Sequence, residues 1–167
     1  MLQDKKERND NVITKDGSKI FPMPDNDLFA HKEKKWRQIL PDSYKEFLME
    51  NNGGVPVQNT FVSNSREYMI ERFLCILKSP RDSELGMYDI SVVVTQIEER
   101  LTDNEDLLGV EILPIAAIFA GDFVCLNFKD SKSNPSVCVW SHEESGEFEP
   151  TLYKIADNFS NFLEVLK

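Results

Sequence analysis

Two histidines are the side chains best suited by type to acid-base chemistry in this chain, because imidazole titrates near neutral pH. His31 lies beside a run of charged residues at 32–35, where a solvated side chain is the simpler interpretation. His142 lies at the end of a predicted strand and directly precedes Glu143 and Glu144. It could serve as a base, but loops at strand ends usually carry such residues on the surface, and we favour that interpretation.

Other chemical motifs that depend on residue spacing are missing or have a structural interpretation. The sequence has no phosphate-binding glycine loop, no nucleophile elbow and no His-Glu-x-x-His helix. Gly53-Gly54 suits the end of a helix better than an anion-binding turn, and Gly121-Asp122 suits a turn that leads into a strand. An enzyme would require His142, Asp122 and a cysteine to converge around one pocket. We therefore predict no catalytic residues, no metal site and no cofactor.

The three cysteines have neither the number nor the spacing of a disulfide framework or a zinc site. Cys75, Cys125 and Cys138 each lie inside an apolar, strand-like run. An odd number of widely separated cysteines is typical of reduced thiols in a protein core.

Clustered carboxylates are the most unusual feature of the sequence. The formal net charge is -10, and residues 82–111 hold nine acidic side chains against Arg100 alone, a net charge of -8. A second acidic group lies at 143–149. Such runs are most often solvated surface, but they also suit a docking surface for a basic protein. The candidate partner-binding carboxylates are Glu98, Glu99, Asp103, Glu105, Asp106, Glu143, Glu144 and Glu147.

The same charge argues against several other partners and locations. A strongly negative field repels phosphate, so we expect neither nucleic acid nor an anionic membrane surface as a partner. No stretch approaches the roughly 18 apolar residues of a membrane-spanning helix, and the first residues lack the apolar segment of a secretory signal. We expect the chain to be cytoplasmic.

Hydrophobic spacing predicts the elements that would position these residues. Helices are predicted from residue 25 to a stop at Pro41, over 42–51 with Asp42 or Ser43 as its cap, over 89–101, and over 152–166. Strands are predicted at 58–62, 68–77, 123–128 and 136–140. This order indicates a single α+β domain at 25–167 with a mainly antiparallel β-sheet packed with helices. Residues 1–24, which mix charges with glycine and proline, are predicted to form an irregular N-terminal arm.

The apolar faces of the predicted helices identify a core. The β-branched residues of 89–101 would also allow a strand, but its apolar side chains fall on one helical face, and we favour a helix. Aromatic side chains of the first, second and last helices are predicted to share one core: Trp36, Tyr44, Phe47, Phe159 and Phe162.

Several segments in a fixed order resemble the SUKH superfamily, which is named for fungal cell-wall assembly regulators and includes many bacterial immunity proteins. Leu40-Pro41-Asp42-Ser43-Tyr44-Lys45-Glu46-Phe47-Leu48 followed by Asn52-Gly53-Gly54 resembles its N-terminal signature. Residues 112–116, 121–126 and 137–143 are similar to its sheet, and 155–163 to its closing helix. The resemblance spans about residues 28–166 and is weakest over 60–111.

The resemblance implies an α+β fold and no known catalytic activity. For a short bacterial member it implies an immunity protein that neutralises a cognate polymorphic toxin, often a nuclease, by binding its basic C-terminal domain. The alternative is an intracellular regulatory protein-interaction module without a toxin partner. Fungal members of that kind carry long disordered extensions, and the short arm of this chain favours the immunity protein.

Overall fold

The computed structural model describes residues 13–167, which form four α-helices and six β-strands. The helices are α1 (Asn26–Trp36), α2 (Asp42–Asn51), α3 (Ile90–Ile97) and α4 (Phe159–Val165). The strands are β1 (Thr60–Ser63), β2 (Arg66–Phe73), β3 (Ile112–Ile118), β4 (Phe123–Asn127), β5 (Ser136–Trp140) and β6 (Leu152–Ala156). Short 3-10 turns at Pro80–Asp82, Gly86–Tyr88 and Glu98–Arg100 flank α3. Over this part of the chain, no helix combines the length and the apolar character that crossing a membrane requires.

All six strands belong to one sheet, in which each strand pairs antiparallel with its neighbour in sequence. The central strands β3 and β5 are buried along their whole length, which explains their continuous apolar sequences. Between β4 and β5, Val124 aligns with Val139 and Cys125 with Cys138. The predicted α+β fold with a mainly antiparallel sheet is confirmed, and β5 occupies the residues predicted for it.

The core lies where helices α2 and α4 pack on the sheet. The ring of Tyr44 lies 4.9 Å from that of Phe159, and the ring of Phe47 lies 5.3 Å from the same residue, both edge to face. Trp36 and Phe162 are buried in the same cluster. The predicted aromatic core is therefore confirmed, since the first, second and last helices all contribute to it.

The predicted helix over 152–166 is wrong in its first half. Leu152–Ala156 is strand β6, which pairs antiparallel with β5. The helix begins only at Phe159, where the side chain of Asn158 accepts a hydrogen bond from the backbone N–H of Asn161 at 2.8 Å. The apolar spacing continues across this junction, but an available sheet edge stabilises the strand and the Asn cap starts the helix afresh.

The predicted end of α1 at Pro41 is also wrong, because the helix ends at Trp36. Arg37 adopts a left-handed conformation with φ of 59°, which stops the helix. The carboxylate of Glu33 then accepts a hydrogen bond from the Leu40 N–H at 2.7 Å and holds the turn toward α2.

Helix α2 has the predicted bounds of 42–51, but the predicted cap is wrong. Its N-cap is Pro41, with no side-chain capping bond, so neither Asp42 nor Ser43 is the cap. The predicted glycine stop is confirmed, since the helix ends at Asn51 and Gly53 has a positive φ of 68°. The predicted helix at 89–101 is confirmed as α3 and the 3-10 turn that follows it.

Residues 13–24 contain no helix or strand and contact the domain through Ile20, which is buried. Its N–H donates to the carbonyl of Asn52 at 2.7 Å. The side-chain amide of Asn52 is fully buried, donates to the Ile20 carbonyl at 3.1 Å and accepts from the Ile76 N–H at 2.9 Å. The predicted arm over 1–24 lies partly outside the described residues, so its boundary stays a prediction.

Curvature of the sheet brings its first and last strands into contact. The hydroxyl of Ser63 on β1 donates to the carbonyl of Lys154 on β6 at 2.9 Å. Thr60 and Lys167 exchange backbone hydrogen bonds of 3.2 and 2.9 Å. The two outer strands thus partly cover each other.

Candidate docking site

The predicted partner-binding carboxylates lie in two acidic segments, residues 98–106 within the acidic run 82–111 and residues 143–149, which are distant in sequence but adjacent in the structure. The first begins in the 3-10 turn after α3, and the second is the loop between β5 and β6. The backbone N–H of Phe148 donates to the carbonyl of Glu99 at 2.7 Å. The carboxylates of both segments therefore belong to one region of the surface.

Arg100 fastens the two segments together. Its guanidinium donates to the backbone carbonyls of His142 and Ser145, the second at 2.9 Å. It also lies 5.0 Å from the ring centroid of Trp140, whose indole N–H donates to the Arg100 carbonyl at 2.8 Å. A hydrogen bond from a charged donor is stronger than one between neutral groups, and the cation–π contact adds a further attraction. The guanidinium of Arg100 therefore fixes the position of the second acidic segment.

A groove of about 260 Å³ lies where the segments meet, and we call it the acidic groove. Its apolar lining consists of Val94, Leu101, Leu107, Val110 and Phe148. Its carboxylates are Glu98, Glu99, Glu105 and Glu111. Leu108, next to the lining, is 67% exposed. The groove thus combines apolar contact area with negative charge.

All eight predicted partner-binding carboxylates are exposed. Within residues 13–167, four carboxylates of the first segment accept no hydrogen bond and form no ion pair: Glu98, Glu99, Glu105 and Asp106. Three of these line the acidic groove, and Asp106 lies outside its lining. Their charges are available to a partner.

Two of the eight are already engaged by the protein itself. Asp103 forms an ion pair of 2.5 Å with Lys129, and this contact lowers the pKa of Asp103. Glu144 accepts a hydrogen bond from the hydroxyl of Tyr153, which raises the pKa of that phenol. We expect both carboxylates to contribute less to a partner than the four free ones.

His142 and Asp122 lie together in a separate cleft of about 250 Å³, which Tyr68 and Glu143 also line. One oxygen of Asp122 lies 2.7 Å from Nδ1 of His142 and accepts the His142 backbone N–H at 2.9 Å. Gly121 has a φ of 102°, in the predicted turn between β3 and β4, and a side chain there would meet the imidazole ring at 3.4 Å. The carboxylate therefore fixes both the ring and the start of the second acidic segment.

No cysteine lies in that cleft. Cys125 and Cys138 are buried in β4 and β5, and burial raises the pKa of Cys138 to about 12 and that of Cys125 well above its ordinary range. Cys75 is also buried, and its pKa is raised to about 12 by the same cause. Burial and a raised pKa both disfavour the reactive thiolate form of all three cysteines. Across residues 13–167, no three His, Cys, Asp or Glu side chains are grouped to hold a metal ion.

A comparison with protein families decides the family. A SUKH family model described as SMI1-KNR4 cell-wall matches residues 26–163, which include both acidic segments and nearly all of the sheet and helices. The chain belongs to the SUKH superfamily. No curated protein and no solved structure matches this SUKH domain.

Family membership narrows the class of function. A SUKH domain of this kind fits either an immunity-protein-like member or a member like the SMI1-KNR4 cell-wall proteins. SUKH domains are generally interaction modules without catalytic activity. The match therefore places the chain in a family of immunity-protein-like and interaction modules.

Sequence reasoning missed the residues that assemble the SUKH acidic groove. In the sequence, Arg100 stands out only as a lone positive charge. A lone cation in a strongly acidic run can nevertheless indicate an arginine that forms structural hydrogen bonds or ion pairs. Phe148 sits among glutamates, and an aromatic residue in that setting could have indicated an apolar lining. The contact between Tyr153 and Glu144 had no sequence signal, since Tyr153 was predicted to be helical.

Proposed function

We propose that this SUKH domain is a bacterial immunity protein that binds and neutralises a cognate toxin, in keeping with its net charge of -10. The partner is the toxin's basic C-terminal domain, which we take to be a nuclease. The observation that carries the proposal is the acidic groove, in which two distant acidic segments are joined around an apolar lining.

The clustered charge supports a docking role because clustering has an energetic cost. Like charges on neighbouring exposed residues repel one another, and the free carboxylates at 98, 99, 105 and 106 receive no compensation from within residues 13–167. A basic partner would relieve that repulsion. Nuclease surfaces that hold phosphate are basic, so an acidic protein can occupy the same surface.

The apolar lining gives the groove more than a steering role. Long-range attraction raises the association rate, but affinity usually depends on a few buried apolar or aromatic contacts. Phe148, Leu107 and the exposed Leu108 would supply those contacts. Glu98 and Glu99 line the same groove. In this arrangement the carboxylates orient the toxin and the apolar residues retain it.

The test reverses the four free carboxylates to lysine: Glu98, Glu99, Glu105 and Asp106. The matched control reverses four exposed glutamates elsewhere, which have no side-chain partner within the described residues 13–167: Glu46, Glu50, Glu84 and Glu164. Both variants change the net charge equally. Binding is measured by stopped flow to the C-terminal domain of the toxin encoded beside this chain, at about 50 and about 200 mM salt.

We expect the groove variant to associate about 10 to 100 times more slowly than the wild type, and the control to lose much less. The wild-type rate should fall as salt rises. Equal slowing of both variants would show that net charge matters and the groove does not. If the wild type neither binds the toxin nor protects cells that produce it, the immunity proposal is wrong and the regulatory module becomes the better hypothesis.

A further inference from the structure

The cleft that holds His142 and Asp122 has an exposed apolar rim. Phe119 and Met69 both line this cleft and are 65% and 44% exposed. The backbone N–H of Phe119 donates to the Met69 carbonyl at 2.8 Å, so the two residues lie side by side. Val62 lies diagonal to Met69 across the hairpin of β1 and β2, and its side chain is 60% exposed. We call this depression the Phe119 cleft.

The turn that holds Phe119 in solvent has a conformational cost. The N–H of Gly121 donates to the Ile118 carbonyl at 3.2 Å and closes the turn, in which Ala120 has a positive φ of 77°. Residues with a Cβ rarely adopt this conformation, and where they do, they are concentrated at binding and active sites. Phe148 of the acidic groove also has a positive φ, of 57°. Strained backbone therefore accompanies an aromatic side chain in both depressions.

The charge of the Phe119 cleft has the same sign as that of the acidic groove. Three carboxylates line it, Glu67, Asp122 and Glu143, against one arginine, Arg66. Glu67 and Glu143 are exposed and form no hydrogen bond or ion pair with any side chain of residues 13–167. The guanidinium of Arg66 lies 5.3 Å from the ring centroid of Tyr68. The cleft thus complements an apolar side chain that has basic neighbours.

The Phe119 cleft and the acidic groove border the same loop. His142 and Glu143 line the Phe119 cleft, and Phe148 lines the acidic groove. The chain from Glu143 to Phe148 spans at most about 18 Å even when fully extended. A protein interface of ordinary size covers about 800 Å² on each partner, which corresponds to a patch roughly 30 Å across. One partner of ordinary size can therefore contact both depressions.

We propose that the Phe119 cleft is a second contact area for the toxin's basic domain, occupied at the same time as the acidic groove. An apolar side chain of the toxin packs on Phe119 and Met69, and neighbouring lysines or arginines pair with Glu67 and Glu143. This second contact rests on the toxin binding proposed above. It adds residues of β2 and of the turn between β3 and β4, which lie outside both acidic segments.

Methionine oxidation provides a test that needs no substitution. The full chain is treated with hydrogen peroxide, alone and in complex with the C-terminal domain of the toxin encoded beside it, and sulfoxide at each methionine is followed by mass spectrometry. Oxidation depends on exposure, so Met69 should react about fivefold or more slowly in the complex. Met87 is 57% exposed and lines neither depression, so its rate should not change.

A matched pair of variants tests the energetic role. Phe119→Ser with Met69→Gln should speed dissociation of the toxin domain at least about tenfold and leave association within about twofold, because apolar contacts act mainly on dissociation. The effect should be the same at about 50 and about 200 mM salt, since salt screens charges only. The control is Phe21→Ser with Met87→Gln, whose side chains are 69% and 57% exposed. Neither pair should change Tm much.

The second contact is refuted if Met69 oxidises as fast in the complex as in the free chain, or if the control pair speeds dissociation as much as the cleft pair. It is also wrong if the free chain self-associates in sedimentation and the cleft pair abolishes only that, because the cleft would then bind a second copy. Failure of the wild type to bind the toxin domain would overturn the immunity proposal and this contact together. Binding with Met69 unprotected would overturn this contact alone.

Discussion

Replacing Arg100 with Met tests whether the acidic groove is built in advance of binding. Met keeps most of the aliphatic packing but removes two charge-assisted hydrogen bonds to the carbonyls of His142 and Ser145 and the contact with the Trp140 ring. Hydrogen bonds from a charged group contribute about 1.5 kcal/mol or more each, and a partly exposed cation–π contact about 0.5–1 kcal/mol. Because the Arg100 side chain is partly exposed and solvent screens its contacts, we expect the free energy of unfolding to fall by about 2–3 kcal/mol.

The stability change is measured by chemical denaturation, and in a domain of this size it corresponds to a fall in Tm of roughly 4–12 °C. Hydrogen exchange reports the local effect, since the amide of Phe148, which donates to the Glu99 carbonyl, should exchange faster than in the wild type. The control is Arg81→Met, an exposed arginine whose loss changes the net charge equally.

The sign of the effect on toxin binding separates two explanations. Losing a positive charge makes the protein more negative, so simple attraction to a basic partner predicts faster association by Arg100→Met. Pre-organisation of the groove predicts weaker binding, because the second acidic segment would have to be ordered on contact. Unchanged exchange at Phe148, together with a stability loss below about 0.5 kcal/mol, would refute the role assigned to Arg100.

Three further predictions concern the rest of the fold. Phe159→Ala should lower the free energy of unfolding by about 3–5 kcal/mol in urea denaturation, because the ring is fully enclosed by aromatic neighbours, and a loss under about 1 kcal/mol would remove it from the core. Asn52→Leu should cost about 2–4 kcal/mol by leaving buried backbone groups unpaired, and a neutral result would show that those groups find other partners. Burial raises the pKa of the Cys75 and Cys138 thiols from 9.0 to about 12, so the unfolded chain loses protons first and the folded state should lose stability as pH rises from 9 toward 12. Alkylation with iodoacetamide at pH 8 should accordingly be slow in the folded protein and fast in denaturant, and rapid labelling of the folded protein would contradict this burial.

Local sequence signals predicted helices and strands correctly where the spacing of apolar residues matches the side chains that are buried in the structure. Strand β5 was located correctly because its apolar run is short and bounded by polar residues, and α2 because Gly53 follows it. The first half of the last predicted helix failed for a different reason. Ile155 and Phe159 have helical spacing, but whether Leu152–Ala156 becomes a strand depends on the free edge of β5, which is a tertiary property.

The sequence was sufficient to predict which acidic residues form the candidate site, but not how they are arranged in space. Charge counting identified both acidic segments, whereas their contact depends on the backbone bond from Phe148 to Glu99 and on the direction of the Arg100 side chain. Neither is encoded by local spacing.

The contact between the first and last strands also limits how this protein associates with others. Exposed strand edges are templates for β-sheet addition, by which copies of a chain join into fibrils or a partner adds a strand. Here the hydroxyl of Ser63 on β1 reaches the Lys154 carbonyl on β6, and the backbone of Thr60 on β1 pairs with Lys167, which follows α4, so part of the β1 edge is already occupied. We therefore expect a partner to bind side chains on loops and in grooves, and not to add a strand to the sheet. Concentrated solutions of the protein should resist fibril formation as long as the contacts of β1 with Lys154 and Lys167 persist.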